Sequence, residues 1–264
     1  MSGGGALWLA VVGKGGSGKS VIAGTLARLL ARRGQRVLAL DSDPMPGLAL
    51  SLGAEEPPEP PLNAAIEQDG DGRMRLRPGI GPVRAIRTYS TDAPDGIRLL
   101  QLGKTREGGL LHVPAATAYW QVANRLHETT TFRDWVVIAD VPAGPRQVGA
   151  RFAAFARTFL VVVEPSWASA LAARRVGRIA RLHRGAEVCF VASKVRGAGD
   201  HKLVKRLVGE PVIASIPLDE EVVAAERRGV ALLDAAPRSR AVRAIESLAQ
   251  TLEARRLSPE VVRG

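Results

Sequence analysis

The sequence is short of several things, and each shortage removes a class of function. A single cysteine, Cys189, rules out a disulfide within the chain and any metal site built on several thiolates. It sits in the apolar run Val188-Cys189-Phe190-Val191-Ala192 and reads as a core residue of a reduced protein. Aromatic residues make up only 4%, so a core drawn from the 46% of hydrophobic residues has to be aliphatic, which suits a parallel sheet buried on both faces. No apolar stretch approaches the roughly 20 residues needed to cross a bilayer. The run from Ala6 to Val12 is too short for the core of a signal peptide and has no basic flank, so it is expected to be a first strand. A cytoplasmic protein is the expectation that follows. Acidic residues are outnumbered, leaving a net charge of +11 carried mostly by arginine. One implication is a phosphate-rich partner such as DNA. The basic residues are spread along the chain without interleaved aromatics, and that pattern favours a solvated basic surface.

What is present alternates. Apolar runs at Leu7–Val12, Arg36–Leu40, Arg98–Leu102, Trp135–Asp140, Phe159–Val163, Glu187–Ala192 and Val212–Ile216 read as strands. Helical spacing appears at Lys19–Arg33, Ala115–Thr129, Ala168–His183, His201–Val208, Leu218–Arg228 and Arg238–Arg256. This βαβ alternation predicts one α/β domain over residues 1–264, a three-layer, doubly wound, mostly parallel sheet. Residues 54–95 break the pattern and are expected to form an irregular insertion. Within it, Glu55 to Pro61 reads as an exposed proline-rich loop, and Asp69 to Arg77 as a turn between short edge elements. In the last helix Val242, Ile245, Leu248 and Leu252 recur every three or four residues. With no Phe or Trp on that face, it is expected to pack on the sheet and not on a membrane surface.

The strongest motif runs Gly13-Lys14-Gly15-Gly16-Ser17-Gly18-Lys19-Ser20-Val21, a G-x-x-x-x-G-K-[ST] pattern between a strand and a helix. Glycines at that spacing let successive backbone N–H groups turn onto phosphate oxygens at the positive end of the helix. Lys19 then reaches the β- and γ-phosphates and the Ser20 hydroxyl is placed to ligate Mg²⁺. A second apolar strand ends in Asp41-Ser42-Asp43-Pro44. That segment closes the strand in a turn, and Asp41 and Asp43 are expected to have different duties. A third ends in Asp140-Val141-Pro142-Ala143-Gly144, and a carboxylate in that position holds Mg²⁺ through water.

The lysine at the start of Lys14-Gly15-Gly16-Ser17-Gly18-Lys19-Ser20 resembles the deviant Walker A family. That group of P-loop NTPases of the SIMIBI type includes the ParA and MinD partition ATPases, the nitrogenase iron protein and the CooC ATPase of nickel insertion. The resemblance implies ATP/ADP and Mg²⁺ as cofactors and a homodimer in the ATP state. Lys14 would reach across the dimer to the partner's phosphates and stabilise charge as an arginine finger does. Lys14, Lys19 and Asp43 are then the catalytic candidates. Asp43 positions the attacking water or the Mg²⁺ shell, Asp41 supports its loop, and Ser20, Asp43 and Asp140 are the metal candidates. Gly144 would let the second switch loop swing.

The C-terminal half continues the likeness through Val163-Glu164-Pro165-Ser166, Ala192-Ser193-Lys194 and Ile216-Pro217-Leu218-Asp219, so the resemblance spans residues 6 to about 255 without the insertion. It implies that Ser193 and Lys194, with Ile216, Pro217 and Leu218, form the base side of the nucleotide site. Ser193 stands where the family usually has Asn. Leu102 to Gly109 leans the pattern toward CooC. Leu111 and Val113 stand where that group has its C-x-C pair, so no interface thiolates are available, and His112 between them reads as a loop or interface residue and not as a ligand. Three functions follow from the resemblance. They are a CooC-like accessory ATPase acting on an unidentified client, a ParA/MinD-type positioning ATPase on DNA or membrane, and a nucleotide-gated scaffold with little hydrolysis.

Overall fold

The computed structural model describes residues 7–43, 47–57, 59–103, 113–144, 148, 153–183 and 185–257. Its centre is an eight-stranded sheet in the order β10-β9-β8-β1-β7-β2-β6-β5. The strands are β1 (Trp8–Gly13), β2 (Val37–Asp41), β5 (Thr91–Ala93), β6 (Ile97–Gln101), β7 (Val136–Asp140), β8 (Thr158–Val163), β9 (Glu187–Val195) and β10 (Val212–Pro217). Neighbours run parallel throughout, apart from the short edge strand β5, which is antiparallel to β6. Both faces are covered, so the central strands carry apolar residues on both sides. In β1 the alternation is explicit. Trp8, Ala10 and Val12 enter one core, and Leu9 and Val11 the other.

One face is packed by α4 (Val113–Asn124), α5 (Trp167–Ala180) and α6 (Ala198–Val208), the other by α1 (Lys19–Arg32) and α9 (Arg240–Leu257). On α9 the stripe Val242, Ile245, Leu248 and Leu252 is buried, as its spacing predicts, each side chain contributing about 2 kcal/mol on burial. Cys189 is likewise a core residue. No helix among the described residues is long and apolar enough to cross a membrane.

Residues 54–95 carry regular elements. A 3₁₀ turn at Pro61–Ala65 leads into a hairpin of β3 (Ile66–Gln68) and β4 (Met74–Leu76), followed by α3 (Pro82–Tyr89). The hairpin turn is closed by the Asp69 carboxylate, which accepts the N–H groups of Asp71 and Arg73. The proline-rich stretch departs from the sequence expectation at its end. Glu55, Glu56 and Glu59 are exposed, but Pro60 is buried against Gly103, where a Cβ would come within 2.6 Å of Pro60 Cα. A short helix, α2 (Leu48–Leu52), follows β2 and packs on α1. Two further short helices, α7 (Glu220–Arg227) and α8 (Leu232–Ala235), link β10 to α9.

The register decides what meets at the sheet's carboxyl edge. Val11 pairs with Asp140, and Asp41 pairs with the same residue from the other side. The chain runs from β1 to β2 across β7 and later returns to β8 on β1's other flank. That reversal opens a crevice above β1, the usual ligand position in a doubly wound sheet.

Candidate functional site

The loop from Gly13 to Ser20 fills this crevice. Gly13 (φ +154°) ends β1 where a Cβ would lie 2.6 Å from Val162 O, so no side chain fits. Gly16 and Gly18 hold left-handed φ of +76° and +89°, which glycine adopts freely. The resulting turns bring the N terminus of α1 onto the crevice, with Gly18 as its cap residue. Ser17 is buried and its hydroxyl has no partner among the described residues. Lys19 is buried too and curls back, its Nζ 3.5 Å from the Lys14 carbonyl. Lys14 and Gly15 are exposed.

The Ser20 hydroxyl donates to Asp140 Oδ2. Burial pushes the Asp140 carboxyl up to about 6; the Ser20 hydrogen bond and the Lys19 charge hold it down, while Asp43 pushes it up. Its other oxygen, Oδ1, is buried without a partner among the described residues. Asp41, one strand over, is held well above the ordinary carboxylate range, first by burial and then by Asp140. Its two oxygens accept the backbone N–H groups of Asp43 and Leu48, each at 3.2 Å, so it braces the loop on which Asp43 stands. Asp43 itself is half-buried at the mouth. Pro44 and the segment 104–112, with Leu111 and His112, lie outside the described residues, and of Val113 only its place at the start of α4 is described.

On the other side of the loop runs a cleft of about 330 Å³. Gly16, Gly18, Lys19, Ser20 and Val21 line it from the loop, and Ser193, Lys194, Ile216, Pro217 and Leu218 from the ends of β9 and β10. The candidate residues from both halves of the sequence are thus brought together. Lys194 has a second attachment. At φ +56° it directs Nζ to the Gly16 carbonyl at 2.5 Å and to Glu164 Oε1 at 2.7 Å, linking β8, β9 and the loop. Asp219 caps α7 through Glu221 N–H and also accepts Ala241 N–H at 2.8 Å, which fixes the cleft wall to α9.

Several contributors escape a reading of the sequence. Ser42 and Tyr119, both buried, share a hydrogen bond of 2.9 Å that ties the Asp41–Asp43 segment to α4. Burial, together with the charges of Asp41 and Asp140, keeps the Tyr119 phenol protonated well above its usual range. Gly47 lies so close to Ser20 that a Cβ would fall 2.8 Å from Ser20 Oγ. The Asp140–Ser20 pair, with an unpartnered buried carboxylate oxygen and Asp43 near it, is an all-oxygen donor set of the kind that suits Mg²⁺.

The sequence from 8 to 233 matches the CobQ/CobB/MinD/ParA nucleotide binding domain. An uncharacterized ATP-binding protein of Methanocaldococcus jannaschii is 33% identical over 84% of this chain and 89% of its own length. The carbon monoxide dehydrogenase accessory protein CooC of Rhodospirillum rubrum is 29% identical, over 88% of this chain and 91% of its own. Among solved structures, the septum site-determining protein MinD of Pyrococcus horikoshii, complexed with Mg-ADP, superposes with a TM-score of 0.71 at 19% identity, covering 94% of this chain and 96% of that one.

Proposed function

The chain belongs to the CobQ/CobB/MinD/ParA nucleotide-binding domain family, and on that premise we propose that it is a Mg-ATP-dependent switch ATPase that dimerises around ATP and hydrolyses it to drive maturation or assembly of a client protein. The observation that carries this reading is the opposite placement of two lysines in one loop. Lys19 is buried and lines the cleft, whereas Lys14 is exposed. A buried cation there serves the phosphates of its own subunit. An exposed one serves a second subunit, adding positive charge where negative charge develops on the transferred phosphoryl group.

The same geometry supports the remaining roles in this reading. Backbone N–H groups of Gly13 to Ser20 cradle the phosphates, and the cleft between Val21, Ser193 and Leu218 takes the base. Ser20, Asp43 and Asp140 would hold Mg²⁺, which when bound would neutralise negative charge on the phosphates. A cation beside Asp140 would also favour its ionised form, offsetting the penalty of its burial. Asp43 orients the attacking water, and Asp41 keeps Asp43 in place through its backbone.

The accessory role is supported by the likeness to CooC. With one buried cysteine and no C-x-C pair, thiolate-based metal delivery is not part of the proposal. The net charge of +11 favours a second reading, a ParA/MinD-type positioning ATPase on DNA. The two part on whether duplex DNA is bound in an ATP-dependent way.

Calorimetric titration of Lys19→Ala with ATP and Mg²⁺ tests the site itself. Losing charge-assisted hydrogen bonds of about 1.5–3 kcal/mol each is expected to weaken binding on the order of a hundredfold. Affinity equal to that of the unmodified chain would overturn the assignment of the loop.

A further inference from the structure

Six large apolar side chains stand exposed among the described residues, and they fall into two sets. Leu218, Val223 and Val230 border the cleft already described. Trp167, Leu171 and Leu182, exposed by 68%, 45% and 79%, have no part in that site. They belong to α5 and the turn just after it. At about 100° per residue, positions 167, 171, 174, 178 and 182 lie on one stripe of a helix. Arg174 and Arg178 share that stripe and are exposed. Neither forms an ion pair among the described residues, whereas nearby Arg181 is matched by Glu210 at 2.6 Å.

Beside the stripe, between α5 and α6, runs a groove of about 510 Å³. Pro165, Trp167, Leu203 and Leu207 give it an apolar floor, and Arg174 and Arg206 stand along it. Arg206 is exposed and also lacks an ion-pair partner among the described residues. Exposed tryptophan and arginine around an apolar depression are the composition of a protein-docking centre.

We propose that this groove docks an acidic amphipathic helix of a partner protein. Apolar side chains of the partner seat on Trp167, Leu203 and Leu207, and its carboxylates meet Arg174 and Arg206. The shape selects this occupant over the other anionic candidates. A concave apolar floor accepts protruding side chains, which a flat lipid surface does not supply. Duplex DNA would satisfy the arginines and leave Trp167 and Leu171 in water.

The test uses the full chain and four fluorescent probes followed by anisotropy or flotation. One is a synthetic helical peptide as long as α5, with leucines every three or four residues and glutamates beside them. The second is the same composition scrambled so that no apolar face forms. The others are a short DNA duplex and phosphatidylglycerol vesicles. The patterned peptide is expected to bind at least about tenfold more tightly than the scrambled one. Trp167→Ala, and Arg174→Glu with Arg206→Glu, should each weaken it by about tenfold or more while leaving ATP binding unchanged. The proposal fails if the two peptides bind alike, if neither binds, or if the variants leave peptide binding intact. It also fails if DNA or vesicles bind this face more tightly than the patterned peptide does.

Discussion

Arg28 is a charged side chain on the core-facing side of α1, only 3% exposed, and it persists there because carboxylates meet it from two directions. Its Nε donates to Asp95 at 2.6 Å and its Nη1 to Asp234, with Arg32 bracing Asp95 from the surface at 3.1 Å. The turn before β6 and the helix α8 are thereby fastened to the phosphate-loop helix. Burial alone would raise the Asp95 carboxyl, but hydrogen bonds and charge from Arg28 and Arg32 hold it below the ordinary range. Breaking a buried pair strands the remaining charge, though here Arg28 keeps Asp234, so Asp95→Asn should cost about 1–2 kcal/mol. The sign of the pH dependence follows. A carboxylate depressed in the folded state contributes fully above its unfolded value of about 3.9 and loses that contribution as pH falls through the folded value. Urea unfolding of the two chains across acid pH should show a gap that is constant near neutrality and narrows towards pH ~3. A gap that stays constant would contradict the pairing. At this scale the phosphate loop, Asp41, Asp43 and Asp140 were legible in the sequence because glycine spacing and strand-ending carboxylates are local signals. Ser42–Tyr119 and Lys194–Gly16 were not, because the partners are 77 and 178 residues apart and only the sheet brings them together.

Among elements, the long central strands announced themselves as apolar runs, since burial on both faces leaves no room for polar alternation. Helix limits shifted by a few residues, as at α5, expected from Ala168 to His183 and found at Trp167–Ala180. The stretch expected as one helix from Ala115 to Thr129 ends at Asn124 and continues as a 3₁₀ turn at Leu126–Glu128. The short elements α2, α3 and α8 were missed, because a window of four to eight residues holds too little periodicity to register. The existence of α2 leaves a trace in α1 that becomes readable only with the structure. Gly24 faces α2 so closely that a Cβ would lie 2.6 Å from Ser51 Cβ and 2.8 Å from its backbone carbon. A helix interior ordinarily prefers alanine to glycine, so Gly24→Ala should stabilise α1 on propensity alone. The contact reverses that sign. Forcing α2 away is expected to destabilise the fold by about 1–3 kcal/mol, measured by denaturant unfolding. A neutral or stabilising result would mean that α2 does not pack as described.

For the molecule as a whole, the aliphatic composition foretold the doubly covered sheet, and the carboxyl edge of that sheet gathers every motif the sequence singled out among the described residues. What the sequence could not convey is that Lys19 is buried and Lys14 exposed, because burial depends on how the turns at Gly16 and Gly18 fold the loop. The central claim rests on that difference. It is tested most directly by light scattering of Lys14→Ala and Asp43→Ala with ATP and Mg²⁺, with phosphate release followed in the same samples. Lys14→Ala is expected to bind ATP yet remain monomeric, with release reduced about a thousandfold, as for loss of a cation supplied in trans. Asp43→Ala retains both lysines and loses the group that orients water, so it should accumulate as an ATP-bound dimer that releases little phosphate. A Lys14→Ala chain that stays monomeric and releases phosphate at the unmodified rate would contradict the account.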